Sequence, residues 1–175
     1  MKKIGIIVGS NRVGSINRQL AEALIAIGHK DLTLSLIEIN ELPMFSEDLE
    51  KNQIQSVDTF REAVRSSDLI LFITPEYNRS IPAFLKNAID WGSRPYGKGA
   101  FIGKEAASAG LAPSPLGTAM AQNHLRSMFQ VLGLKTIRQP EMYLTYHENM
   151  FQENKLPSDE KTHQFLQSFL NALAQ

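Results

Sequence analysis

Cysteine is absent from the 175-residue chain, and net charge is absent as well. Without cysteine there can be no disulfide bond, thiolate zinc site, thiol nucleophile or CxxC redox motif, so any redox function requires a bound cofactor. The 18 Lys and Arg residues balance the 18 Asp and Glu residues. Because no global field attracts a polyanion or an anionic membrane surface, we expect neither nucleic acid nor membrane as a partner.

The sequence also lacks an apolar run long enough to cross a bilayer. The opening MKK imitates the start of a signal peptide, but the apolar run after it ends at Gly9 and is too short for one. We therefore expect a cytoplasmic protein. Its hydrophobic content of 43% is enough for one core, which predicts a single domain over residues 1–175.

Apolar segments of strand length alternate with segments of helical period, without repeats or linkers, which predicts one α/β domain. Helices between the strands imply a parallel sheet covered on both faces, with its first and third strands in the centre. The segment 141–157 carries no clear pattern and is left unassigned. Five strands are predicted, at residues 3–8, 32–39, 69–74, 105–110 and 134–137.

Ligands of such sheets bind outside the carboxyl ends of the strands, where the strand order reverses. Three unusual stretches follow predicted strands there: GSNRVGSIN at 9–17, TPEYNRSIP at 74–82 and SAGLAPSPLG at 108–117. The ligand-binding residues are therefore expected in these loops.

The first stretch leads from a strand into a helix and has the chemistry of a phosphate site. Free backbone N–H groups and the helix dipole favour an anion at a helix N-terminus. The stretch lacks the glycine spacing of dinucleotide sites and the Gly-Lys-Ser/Thr ending of nucleoside-triphosphate loops. In a simpler interpretation, Ser15 or Asn17 only caps the helix and Arg12 is a solvated charge. Additional donors to a phosphate are predicted from Ser10, Arg12, Ser15 and Asn17.

The second stretch contains two prolines, which restrict a backbone that presents its own polar groups. Such a loop suits a planar aromatic ligand, and Tyr77 adds an amphipathic ring. Glu76 offers a hydrogen-bond acceptor or an ion-pair partner for Arg79. In the simpler interpretation, Tyr77 packs on the sheet edge and Asn78 is an ordinary turn residue.

Together, GSNRVGSINR and TPEYNRSIPAFLKNAIDW resemble the NADPH-dependent FMN reductase family, which includes bacterial quinone and chromate reductases and azoreductases. ELPMF, HLR and a Pro-Glu pair extend the similarity over most of the chain. The resemblance implies a flavodoxin-like three-layer sandwich with a five-stranded parallel sheet in the order 2-1-3-4-5. It also implies tightly bound FMN, with NADPH or NADH as the electron donor.

The family pattern also implies which residues bind FMN. The phosphate would be bound by the first loop, the isoalloxazine edge would meet the second loop, and a third flavin-side loop would follow the fourth strand. Residues 113–118 depart from the family pattern, because relatives have paired glycines and an arginine there. The implied cofactor-binding residues are Ser10, Arg12, Ser15, Ile16 and Asn17 in the first loop, Pro75, Glu76, Tyr77 and Asn78 in the second, and Ser108 and Gly110 in the third.

In this interpretation the flavin carries the chemistry, so no catalytic residue and no metal site are assigned. Electrons would pass from a nicotinamide to quinones, free flavin, azo or nitro compounds, or chromate, with ping-pong kinetics. The family also implies a homodimer or homotetramer, with Arg126 and Glu141 as candidate interface residues; a simpler interpretation makes both of them surface charges. Two alternative functions remain at this point, an electron-carrier flavodoxin and a non-catalytic flavin-binding scaffold.

Overall fold

Strands and helices alternate along most of the chain in the computed structural model, which describes all residues, Met1–Gln175. A short 3₁₀ turn at Leu49–Lys51 precedes the second helix. The elements in chain order are β1 (Lys2–Val8), α1 (Ile16–Ile27), β2 (Leu32–Leu36), α2 (Gln55–Arg65), β3 (Leu69–Ile73), α3 (Ala83–Gly92), β4 (Glu105–Ala112), α4 (Ala119–Val131), β5 (Lys135–Thr136), β6 (Met142–Thr145) and α5 (Glu160–Leu173).

The strands form one parallel sheet in the order β2-β1-β3-β4-β5, which confirms the predicted flavodoxin-like order. β1 and β3 are central, and every residue of β3 is buried. The predicted strand boundaries are less accurate. β2 ends at Leu36, three residues before the predicted end, and β4 extends two residues further, to Ala112.

The edge beside β4 is occupied by two short strands instead of one. β5 pairs with the beginning of β4, and β6 pairs in parallel with its carboxyl half, from Ala109 to Ala112. Pro140 lies between them and has no N–H group to donate to the ladder, so the edge strand is interrupted there. β6 lies in the segment that the sequence left unassigned, and it adds a sixth strand to the five predicted.

Two hydrophobic cores lie on opposite faces of the sheet. Alternating residues of β1 divide between them, with Ile4 and Ile6 in one core and Ile7 in the other. The first core is closed by α1 and α5, and the second by α2, α3 and α4. This three-layer packing leaves the carboxyl edge of the sheet to the loops. None of the helices combines the length and apolar character needed to cross a membrane.

Candidate FMN site

Three loops meet at the carboxyl edge of the sheet because their strands are neighbours. Val8 pairs with Ile73, and Ile73 pairs with Ala109. The ladder continues one residue into the loops, where Gly9 N–H donates to the Ile73 carbonyl at 2.8 Å. The structure therefore brings together the loops that follow β1, β3 and β4, as the sequence predicted.

The first loop joins β1 to α1 and has a defined turn. Ser15 caps α1, since its hydroxyl accepts a hydrogen bond from the Arg18 N–H at 3.3 Å. Gly14 has a φ of +69°, which favours glycine, and a Cβ built there would meet no atom within 4 Å. Ser10 accepts from the Arg12 N–H at 3.4 Å, and the Arg12 side chain is exposed without an ion-pair partner. Ser15 is therefore a helix cap, while Arg12 remains free.

The beginning of α1 has the donors that an anion needs. The backbone N–H groups of Ile16 and Asn17 have no acceptor within the chain. No acidic residue lies in the first turn of this helix, so no side chain neutralises its positive end. Together with the open space beside Gly14 and the free Arg12 guanidinium, this donor set fits a phosphate group.

The Asn17 side chain is already paired within the chain. It is 1% exposed, and its Nδ2 donates to the Leu111 carbonyl at 2.9 Å. Its Oδ1 accepts from the Leu111 N–H, also at 2.9 Å. The amide therefore braces α1 against β4 and continues the backbone pairing of that strand. Of the two nitrogen atoms of Asn17, only the backbone nitrogen has no hydrogen-bond acceptor within the chain.

The second loop contains a two-residue turn that presents Tyr77. Tyr77 and Ser80 exchange two backbone hydrogen bonds of 2.9 and 3.0 Å. Asn78 and Arg79 occupy the turn with φ values of +52° and +65°, a conformation that favours Asn and disfavours Arg. Asn78 is thus the turn residue of the simpler interpretation. The Tyr77 ring is half exposed at the site.

The Glu76 carboxylate connects the second loop to the first turn of α4. One of its oxygens accepts from the N–H groups of Met120 and Ala121, at 2.9 and 3.1 Å, in the first turn of α4. Its other oxygen lies 3.6 Å from Arg79 Nη1, so the predicted ion pair is present. The Glu76 side chain is only 12% exposed. The charge of Glu76 therefore interacts with the α4 N-terminus and with Arg79.

Two polar side chains of α4 support the site, although neither is among the predicted site residues. His124 Nδ1 lies 3.0 Å from Ser80 Oγ and supports the Tyr77–Ser80 turn. Gln122 is fully buried and donates to Thr118 Oγ1 and to the Met142 carbonyl. Polar residues at this spacing are ordinary on a helix, so the sequence alone gives no sign of their role. Only the tertiary contacts show that Gln122 and His124 support the site.

The third loop begins later than the family resemblance implied. Ser108 and Gly110 lie within β4, not in the loop that follows it. Ser108 donates to Gln122 Oε1 at 3.0 Å. A Cβ on Gly110 would lie 1.9 Å from Thr118 Oγ1 and 2.5 Å from the Thr74 carbonyl oxygen. Both residues therefore pack the base of the loop, and the loop itself is 113–118.

Arg126 and Glu141 form a network within one chain. Arg126 Nη2 donates to Tyr143 Oη at 2.6 Å, and Tyr143 Oη donates to Glu141 Oε1 at 2.7 Å. Arg126 and Glu141 approach to 3.6 Å. Burial, and then the hydrogen bond to Glu141, raise the pKa of the Tyr143 phenol above its ordinary range. The network connects α4 to β6 beside the third loop.

The LKNAIDW motif of α3 anchors the loop after β2 instead of contacting the site. The Pro43 carbonyl accepts from Asn87 Nδ2 at 3.0 Å and from Trp91 Nε1 at 2.7 Å. Asn87 Oδ1 accepts from the Phe45 N–H at 2.7 Å, and the Phe45 ring meets Trp91 edge-on. Met44 is left 72% exposed at the tip of this loop. The motif therefore fixes the position of the loop that follows β2.

The fold and the three loops define an α/β protein whose first helix begins with unpaired backbone N–H groups that fit an anion. The sequence pattern of the NADPH-dependent FMN reductase family matches residues 2–149. The chain belongs to this family, and it is an oxidoreductase.

Similar proteins cover nearly the whole chain. A 2-hydroxy-1,4-benzoquinone reductase of Burkholderia sp is 38% identical over 172 residues, which cover 98% of this chain and 94% of that protein. A quinone reductase of Pseudomonas putida is 40% identical over 172 residues, with 98% and 92% covered. The structure of a flavoenzyme NAD(P)H:(acceptor) oxidoreductase from Paracoccus denitrificans superposes with a TM-score of 0.94 at 37% identity, covering 99% of this chain and 96% of that one.

Proposed function

We propose that this protein is an FMN-dependent NAD(P)H:quinone oxidoreductase. The observation that carries the proposal is the first loop, where unpaired backbone donors, an open glycine turn and the free Arg12 converge. Full-length similarity to quinone reductases supports the acceptor class. The overall reaction is NAD(P)H + quinone + H⁺ → NAD(P)⁺ + hydroquinone, in which the nicotinamide loses a hydride and the quinone gains two electrons and two protons.

FMN would be held by the three loops. The phosphate would lie against the N–H groups of Ile16 and Asn17, with Ser10 and Arg12 beside it. The ring edge would meet the backbone of the second loop, from Pro75 to Asn78, with the Tyr77 side chain alongside. In the third loop we propose contacts from 113–118, because the Ser108 hydroxyl already donates to Gln122 and Gly110 lies within β4. Bound FMN supplies two-electron transfer between a nicotinamide and an acceptor.

The protein residues bind and orient both substrates in turn at one exposed surface. Because donor and acceptor need the same open side of the site, the donor must leave before the acceptor binds. We therefore propose a ping-pong sequence. Parallel lines in double-reciprocal plots of initial rate would support it, whereas intersecting lines would require both substrates to bind together.

The phosphate assignment can be tested by FMN titration of the apoprotein, followed by flavin fluorescence. Losing one charge-assisted and one neutral hydrogen bond should weaken FMN binding by about 30-fold or more in the Arg12→Ala/Ser10→Ala variant. Arg18→Ala is the control, because Arg18 lies on α1, directly after the first loop, but pairs with Glu38 at 2.8 Å. Unchanged FMN affinity in the double variant would refute the phosphate site.

We also propose that the protein forms a homodimer or homotetramer. A groove of about 440 Å³ between α3 and α4 is bordered by large exposed apolar side chains, namely Tyr96 (90%), Ile102 (55%) and Val131 (84%). Contiguous exposed apolar surface of this kind is typical of interaction sites. Arg126 and Glu141 remain candidate interface residues, although each already has a partner within the chain. A mass measured by light scattering for the parent and for Val131→Asp tests this proposal; a monomeric parent would contradict it.

A further inference from the structure

Arg79 lies in the turn of the second loop in a backbone conformation that suits other residues better. Its φ is +65°, in the left-handed region, and it follows Asn78, whose φ is +52°. Two-residue turns with positive φ at both positions favour Asn followed by Gly. An arginine there costs conformational energy, and residues held at such a cost are concentrated at functional sites. The conformation of Arg79 therefore indicates a role for its side chain.

The Arg79 guanidinium is available to an anion. Its side chain is 70% exposed, and its ion-pair partner is Glu76. The 3.6 Å between Arg79 Nη1 and Glu76 Oε1 is longer than a hydrogen bond. The other Glu76 oxygen already accepts from two backbone N–H groups of α4. Glu76 thus attracts the guanidinium to the loop but leaves its N–H donors open to a ligand.

The three loops of the site contain only two positively charged side chains. Loops 9–15, 74–82 and 113–118 include no Lys, and their arginines are Arg12 and Arg79. In the proposed function Arg12 lies beside the FMN phosphate, so Arg79 is the loop cation that remains. The nicotinamide donor is an anion, because NADH carries a pyrophosphate and NADPH carries an additional 2′-phosphate. It binds at the exposed side of the site, where Arg79 offers a counter-charge.

We propose that Arg79 binds a phosphate group of the nicotinamide donor. This inference rests on the proposed NAD(P)H:quinone oxidoreductase function. A guanidinium can donate two parallel charge-assisted hydrogen bonds to one phosphate, which an exposed arginine with open donors is suited to do. The phosphate belongs either to the pyrophosphate or to the 2′-position, and a comparison of NADH with NADPH distinguishes these two sources. Arg79 strengthens donor binding and takes no part in hydride transfer.

The test compares three donors with the FMN-loaded protein: NADPH, NADH and 1-benzyl-1,4-dihydronicotinamide, which has the same hydride-donating ring but no phosphate. The measured quantity is the second-order rate constant of flavin reduction, obtained by stopped flow without oxygen. In Arg79→Asn the constant for NADPH should fall about tenfold or more, because a charge-assisted hydrogen bond is lost. The constant for the phosphate-free donor should stay the same. Calorimetry should show that NADP⁺ binds more weakly by the same factor.

Three controls separate phosphate binding from effects on the turn or on net charge. Asn suits a positive φ, so denaturant unfolding of Arg79→Asn should show no loss of stability. Arg79→Lys keeps the charge and should bind NADP⁺ more tightly than Arg79→Asn. Arg65→Asn removes the same charge from an exposed position at the end of α2, outside the three loops, and should leave the rate constants of all three donors unchanged.

The outcomes distinguish this inference from the proposed function. A loss with NADPH and NADH alike supports binding of the pyrophosphate, and a loss with NADPH alone supports binding of the 2′-phosphate. An equal loss with the phosphate-free donor, or no change with either nucleotide, would overturn the inference and leave the proposed function intact. If the parent protein binds FMN but neither NADPH nor NADH reduces it, the proposed function fails and the inference falls with it.

Discussion

The Asn17 amide offers a sharp test of how the first helix is held to the sheet. Its Nδ2 and Oδ1 pair with the carbonyl and the N–H of Leu111, both at 2.9 Å. Asn17 and Leu111 are each 1% exposed, so water does not replace a lost partner. Asn17→Ala removes both hydrogen bonds and leaves two buried backbone groups unpaired.

The magnitude follows from those two groups. An unsatisfied buried N–H or C=O costs about 1–3 kcal/mol, so the variant should lose about 2–6 kcal/mol of unfolding free energy. That loss is a large fraction of the stability of about 5–15 kcal/mol that is usual for a domain. Asn123→Ala is the control, because Asn123 is an exposed amide on α4 and its removal should cost less than about 0.5 kcal/mol.

The assay is denaturant unfolding of the apoprotein, followed by FMN titration of each variant under folding conditions. We expect a large loss of stability in Asn17→Ala. Because the backbone N–H of residue 17 is retained, we expect a smaller change in FMN affinity than in the Arg12→Ala/Ser10→Ala variant. Unchanged apoprotein stability combined with a large loss of FMN affinity would refute the bracing role and make the Asn17 side chain a direct phosphate ligand.

Two further predictions concern β4 and its neighbours. Gly110→Ala places a Cβ 1.9 Å from Thr118 Oγ1, so it should lower the unfolding free energy by about 1–3 kcal/mol, measured by denaturant unfolding; an unchanged midpoint would contradict the packing at this position. The raised pKa of Tyr143 means that its contribution to stability is complete below about pH 10 and is lost as the pH rises through the higher folded-state value. Ultraviolet titration should show one late-ionising tyrosine that is missing in Tyr143→Phe, and identical titration curves for the two proteins would count against the network.

The sheet and the phosphate loop could be predicted from the sequence because both depend on local patterns. The apolar runs of β1 and β3 need burial on both faces, which makes them central. A cluster of small and polar residues between a strand and a helix indicates an anion site. These signals require only neighbouring residues.

The features that the sequence could not predict depend on distant partners. Asn17 fits the phosphate pattern, but its amide is paired with Leu111 across the fold. Glu76 lies in the second loop, yet its carboxylate caps α4. The sixth strand was missed because β6 has only four residues and depends on β4 for its pairing. Tertiary contacts thus decide which polar side chains remain free for a ligand.

The absorption spectrum of the FMN-reconstituted protein, recorded without oxygen, tests the central claim most directly. After free FMN is removed, NADPH should bleach the visible bands of the protein-bound flavin, and a neutral quinone should restore them. Bound flavin that NADPH does not bleach would contradict the oxidoreductase account and favour an electron carrier. A protein that retains no flavin would contradict the FMN site itself.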